Sequence, residues 1–278
     1  MTFATFSAAL PMLVLVGAAI VAVVALIAQP WWAERRRARH WAKPFPATWR
    51  RILRRRVPIV ARLPLELQLR LKRLIQVFIA EKPFIGCQGQ RISDEVRVTI
   101  AAQACLLLLG QQRADCYPRL RQILVYPDSF VANRERPLGA GVVQERRRTM
   151  SGESWTYGQV ILSWADVVAG AADPADGHNV TLHEFAHQVD QDSGAADGRP
   201  WRSNRALRRR WAMVMGQAFE RLRNEPSTLI DSYGASDPAE FFAVVTEVFI
   251  ERPNELAAEA PAVYAELAEL YRVNPMQW

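Results

Sequence analysis

Cysteine and histidine are both scarce in this chain, three of the former and four of the latter in 278 residues. The cysteines, Cys87, Cys105 and Cys116, are odd in number and show no C-x-x-C spacing. That excludes a disulfide framework and a cysteine-based zinc finger, and it points to a reducing compartment. Internal repeats and low-complexity tracts are lacking as well, which excludes a solenoid. Charge is missing from the start of the chain, where nothing before Glu34 ionises. Against these absences, half of the residues are apolar and 9% are aromatic, enough for a packed core and too many for intrinsic disorder. The length fits one catalytic-sized domain plus an appendage.

The formal charge of +7 is unevenly spread. Between Glu34 and Arg73 stand 14 Lys or Arg against Glu34 and Glu66, a net of +12, so the rest of the chain nets −5. A basic collar beside an acidic body suggests a local partner rather than a nucleic acid, and no helix-turn-helix, zinc-finger or RNA-recognition signature accompanies it. What precedes the collar explains it. Met12 to Ala28 is continuously apolar apart from Gly17; with Phe3 to Pro11 the run reaches the ~20 residues that cross ~30 Å of hydrocarbon as a helix. Trp31 and Trp32 follow where amphipathic rings favour the headgroup layer, and Arg35, Arg36, Arg37 and Arg39 come next, as expected on the cytoplasmic side. A cleaved signal peptide would begin with positive residues, whereas MTFATFS has none. The expected organisation is a single-pass transmembrane anchor over residues 1–30, a basic juxtamembrane linker over 31–62, and a domain over 63–278 on the cytoplasmic face of the inner membrane.

Within that domain, Leu67, Leu71, Leu74 and Phe78 lie on one helical stripe of residues 64–82, although the alternating leucines from Leu63 to Leu71 would also suit a strand. A second helix is expected over 94–109, capped by Ser93 or Asp94 and apolar nearly all round, hence central. Short β-like runs follow at 122–126, 141–144 and 157–164. Helical patterns return from Asn179, over 206–223, over 238–250 and over 261–271. Helices, a small sheet, then helices read as an α+β fold.

Two of the four histidines bracket a glutamate in His183-Glu184-Phe185-Ala186-His187, the pattern H-E-x-x-H. Residues four apart share a helical face, so both imidazoles can reach one ion with Glu184 beside the bound water. Val180, Leu182, Phe185, Ala186 and Val189 are available for the buried side, and Asn179 or Thr181 for the cap. Catalytic zinc takes three protein ligands and leaves a position open. The metzincin extension is excluded, since Asp190 and Ser193 stand where it needs Gly and His, and no other histidine lies downstream. A later carboxylate is therefore required. Glu240, in Tyr233-Gly234-Ala235-Ser236-Asp237-Pro238-Ala239-Glu240, is one candidate and Glu247, a heptad further on the same face, is another. Asp237, Pro238 and Glu240 also match a capping box, which would by itself account for the glutamate. Asp190 either hydrogen-bonds a ligand imidazole or pairs with an arginine. His178 reads as a loop residue, and His40 belongs to the collar.

The segments TIAAQACLLLL (99–109), ILVYPDSFV (123–131), GQVILSWADV (158–167), GHNVTLHEFAHQVD (177–190) and YGASDPAEFFAVVTEVF (233–249) together resemble the Mlc titration factor A family of bacterial zinc metallopeptidases, from about Trp49 to Pro275. The resemblance implies a zincin-like fold of the gluzincin kind, mainly helical with a small sheet. It implies one zinc ion on His183, His187 and Glu240, Glu184 as general base, and Tyr233 as stabiliser of the transition state. It also implies that the strand-like GQVILSW aligns an extended peptide along a sheet edge. The expected activity is hydrolysis of peptide bonds, aminopeptidase-like and on short peptides. The alternative it carries is a regulatory protein that sequesters a transcriptional repressor of the Mlc type.

Overall fold

The computed structural model describes residues 4–111, 116–128, 130–138, 142–150, 152–155 and 158–278. The chain divides into two compact units, Met1–Pro44 and Phe45–Trp278. Among the described residues the first holds a single helix, α1 (Ala4–Ala42), which runs through Pro11 and past residue 30. Its stretch Val14–Ala42, 29 residues, is long and apolar enough to cross a membrane, and Leu15, Val21, Ile27 and Trp32 are all exposed.

The second unit contains, in order, α2 (Ala47–Arg56), α3 (Leu65–Glu81), β1 (Phe84–Gly86), α4 (Asp94–Leu106), β2 (Gln122–Tyr126), β3 (Phe130–Leu138), β4 (Val142–Met150), β5 (Gly152–Trp155), β6 (Gln159–Ser163), α5 (Trp164–Ala172), α6 (Val180–Asp190), α7 (Arg205–Asn224), α8 (Pro238–Glu251), α9 (Pro253–Glu259) and α10 (Pro261–Tyr271). It is a mainly helical body with a small sheet, the α+β composition expected. The compact body starts at Phe45, so residues 45–62 pack as part of it. Leu53, Val57, Ile59 and Val60 are buried, Trp49 donates from Nε1 to Asp94 at 2.9 Å, and Arg55 bonds Glu95 at 2.7 Å. The arginines of α2 are thus one side of a helix whose other side belongs to the core.

The main sheet runs β1-β2-β6-β5, with β1, β2 and β6 parallel and β5 antiparallel to β6. Leu124 stands opposite Ile161 in the β2–β6 register. A separate antiparallel pair joins β3 to β4. The run expected over 157–164 is β6; Tyr157 lies outside the described residues, as does Gly141 of the other expected run. Because β5 covers its far side, β6 is an interior strand, and the sheet edge on that side is β5. Helix α3 settles the ambiguity of its leucines by burying Leu71, Leu74, Ile75 and Phe78 at helical spacing.

Helix α4 passes through the centre, with every residue from Val98 to Leu106 buried. Its N-cap is Ser93, whose Oγ accepts the Val96 N–H at 3.4 Å. Beside it Phe185 of α6 meets Tyr117 and Phe78, with ring centroids 4.8 Å and 5.7 Å away. Elsewhere in the body, Trp211 of α7 packs on Phe242 of α8 at 5.7 Å. There a buried ion pair fastens the segment before α7 to α10, Arg202 Nη2 to Glu266 Oε2 at 2.9 Å, with side chains only 5% and 3% exposed. Arg210 adds a second guanidinium to the same carboxylate.

Removing one partner of a buried pair leaves an uncompensated charge. Glu266→Ala is expected to lower the unfolding free energy by about 3–5 kcal/mol, read from urea denaturation. A loss like that of an exposed surface pair would mean that water reaches Arg202.

Candidate metal centre

Helices α6 and α8 pack against each other, and capping residues fix where each begins. Asn179 caps α6, its Oδ1 accepting the Leu182 N–H at 3.0 Å. Asp237 caps α8, its Oδ1 accepting from Ala239 at 3.0 Å and from Glu240 at 3.1 Å, with Pro238 in the first turn. The capping pattern and the site are therefore one arrangement, because Asp237 holds the backbone N–H of Glu240 itself.

His183, His187 and Glu240 each offer one ligand atom, and the three atoms lie within 4.8 Å of one another. Glu240 Oε2 is 3.0 Å from His183 Nε2 and 3.3 Å from His187 Nε2. Two imidazole nitrogens and one carboxylate oxygen, gathered this way, suit a divalent ion of borderline softness. The electrostatics agree. Burial alone would push the Glu240 carboxyl up, but hydrogen bonds to His183 and His187 hold it well below the usual carboxylate range. Burial would likewise pull the His183 imidazole down, yet Glu240, Glu247 and the nearby charge of Glu184 raise it well above its ordinary value. The pocket favours positive charge.

Glu184 is buried. The Tyr233 ring, on a short 3₁₀ turn over Ser232–Ala235, has its centroid 6.0 Å from that of His183. Glu247, weighed from the sequence as a rival third ligand, stands on the other side of the His183 ring, its Oε1 2.8 Å from Nδ1. Asp190 is buried too, but its Oδ2 accepts the Gly198 N–H at 2.6 Å. His178 is an exposed loop residue whose N–H bonds Asp176 at 2.8 Å, and His40 belongs to α1.

Two residues were missed from the sequence, Asn179 as more than a cap and Glu251 altogether. Asn179 Nδ2 donates to Glu251 Oε1 at 2.9 Å and to the Gly170 carbonyl at 3.0 Å, while its backbone N–H reaches Glu247 Oε2. The available signal was spacing: Glu240, Glu247 and Glu251 are seven and four apart, one stripe of α8. Burial, reinforced by Asp176 and Glu247 against the hydrogen bonds from Asn179 and Gly177, pushes the Glu251 carboxyl up to about 8.

A carboxyl that holds its proton more tightly when folded gives its full contribution below the unfolded value of 4.5 and loses it as the pH rises toward about 8. Metal-free protein is therefore expected to lose thermal stability from this group across that window. Melting curves of Glu251→Gln should fall less steeply with pH than those of the parent chain; parallel curves would assign the slope elsewhere.

The glucose-regulated metallo-peptidase M90 family model matches residues 31–272. An uncharacterized protein of Synechocystis sp. is 40% identical over 252 residues, covering 89% of this chain and 91% of its own. Mlc titration factor A of Cronobacter sakazakii is 32% identical over 260 residues, 90% of this chain and 93% of that protein. Mlc titration factor A of Enterobacter sp. is also 32% identical, over 80% of this chain and 84% of its own.

Proposed function

We propose that this chain, which belongs to the glucose-regulated metallo-peptidase M90 family, hydrolyses peptide bonds at a single zinc ion held by His183, His187 and Glu240 on a zincin-like fold of the gluzincin kind. The observation that carries this reading is the approach of those three ligand atoms to within 4.8 Å. When bound, zinc supplies Lewis acidity and brings the pKa of its water from 15.7 toward ~7. Glu184 acts as general base, accepting a proton from the attacking water and returning it to the leaving amine. Tyr233 donates a hydrogen bond to the carbonyl oxygen as negative charge develops there, a role supported by its ring lying 6.0 Å from that of His183. The substrate is an extended peptide that pairs with β5, the edge strand on that side among the described residues, which replaces β6 in the role expected of GQVILSW. Short peptides cleaved from the amino end are the substrate class suggested by the family resemblance.

The anchor reading rests on α1. Its apolar run up to Ala28, within the candidate span Val14–Ala42, followed by Arg35, Arg36, Arg37 and Arg39, supports a single pass of the inner membrane with the second unit in the cytoplasm. A regulatory reading stands beside the enzymatic one, because two of the relatives carry the name Mlc titration factor A; on that reading the body captures a transcriptional repressor of the Mlc type. Pull-down of such a repressor with His183→Ala, after checking that the variant is folded, separates the two, since capture should survive while peptide cleavage is lost.

Glu184→Gln is expected to bind zinc like the parent chain and to lose roughly 10²–10⁴-fold in kcat on a peptide library. Chelator should abolish the parent's cleavage and zinc restore it. Undiminished turnover by Glu184→Gln would overturn the assignment.

A further inference from the structure

The metal centre leaves one buried acid beside it without a task. Glu247 is 6% exposed, and α8 delivers it two turns beyond Glu240 on the same stripe. Its Oε1 lies 2.8 Å from His183 Nδ1, while Glu240 approaches the same ring at Nε2, 3.0 Å away. The two ring nitrogens point apart, so an ion on Nε2 alongside Glu240 is out of reach of Glu247. An ionised carboxylate only accepts hydrogen bonds, so a ring facing Glu247 keeps its proton on Nδ1 and presents a bare lone pair at Nε2.

Glu247 is itself held from behind. The Asn179 backbone N–H donates to its Oε2. The Asn179 side chain is fully engaged, Oδ1 with the Leu182 N–H at 3.0 Å and Nδ2 with Glu251 Oε1 and the Gly170 carbonyl at 2.9 and 3.0 Å. Glu251 Oε2 in turn takes the Gly177 N–H at 3.2 Å. An aspartate at 179 would lose the amide N–H that reaches Glu251 Oε1, and a serine would not reach it. The backbone also comes in close: a Cβ on Gly170 would stand 3.0 Å from Asn179 Cα. By contrast, His187 Nδ1 is buried with no hydrogen-bond partner among the described residues, so tautomer control at this centre falls on His183.

We propose that Glu247 is a positioning residue that fixes the His183 ring in its metal-binding tautomer and orientation, and that Asn179 locks Glu247 in place. This rests on the metal-centre reading above. Carboxylates that orient a ligand imidazole typically contribute about 10–100-fold in metal affinity.

The test compares Glu247→Met with Glu247→Gln in the full chain, using zinc alone as the probe in competition with a chelating dye. The two side chains have similar volume, but only glutamine offers an oxygen to the Nδ1 proton. Both variants are first melted without zinc, and affinities are compared at a temperature where both are folded. Glu247→Met is expected to weaken zinc by about 10–100-fold and to lower kcat with little change in KM, while Glu247→Gln recovers most of the affinity. Cobalt(II) in place of zinc should give the parent's visible absorption bands in Glu247→Gln and altered bands in Glu247→Met. Equal affinities for Met, Gln and parent, or equal losses in both variants, would overturn the proposal. If His183→Ala loses zinc in the same assay while Glu247→Met keeps it, the positioning role fails and the metal site stands. A parent chain that takes up no zinc would sink both.

Discussion

Helix α8 turns three acidic side chains toward one side and buries all of them, Glu240, Glu247 and Glu251. Unpaired, each would carry a heavy desolvation cost, so everything facing that stripe has to answer it. The two imidazoles of α6 answer Glu240, one of them answers Glu247 with its other nitrogen, and the amide of Asn179 together with the Gly177 N–H answers Glu251. Read from the glutamates outward, the metal centre is the end of a longer neutralisation problem. A cation among the three ligand atoms is its natural completion, since the imidazole of His183 is already drawn toward positive charge there.

This dependence also explains why the caps matter beyond helix stability. Asn179 and Asp237 each satisfy the first N–H groups of a helix, as capping residues do, but each also touches the acid stripe or its ligand. Rotating either helix about its axis would misplace a ligand and break its own cap at once. Helix phase and site geometry are set by the same few hydrogen bonds. The large core supports this alignment from behind, with Phe185 of α6 wedged against Tyr117 and Phe78 and Phe242 of α8 against Trp211.

Much of this was legible in the sequence where one residue carries one signal. Asp237 and Pro238 announce α8, the apolar run announces α4, and the spacing of His183 and His187 announces the shared face. Elsewhere one residue carries two. Ser163 ends β6 and caps α5, its Oγ accepting the Asp166 N–H at 3.2 Å, so a strand reading ran on to Trp164 and missed the helix. Arginines crowd α2 and hide the apolar side on which Leu53 is buried. β3 and β4 mix Arg, Glu and Pro along their length and show no alternation. The role of Glu247 was beyond reach, because it depends on Asn179, 68 positions earlier in the chain, and local spacing alone cannot tell a ligand from the group that aims one.

The edge strand β5 spans four residues, Gly152–Trp155. Exposed main-chain rows invite other chains to zip on, and brevity is one of the devices by which proteins discourage runaway aggregation. On the docking reading proposed above, the described part of this edge would offer a guest only a handful of backbone bonds. On that reading a segment pairing here would have to arrive already straight, which would favour frayed ends over folded partners.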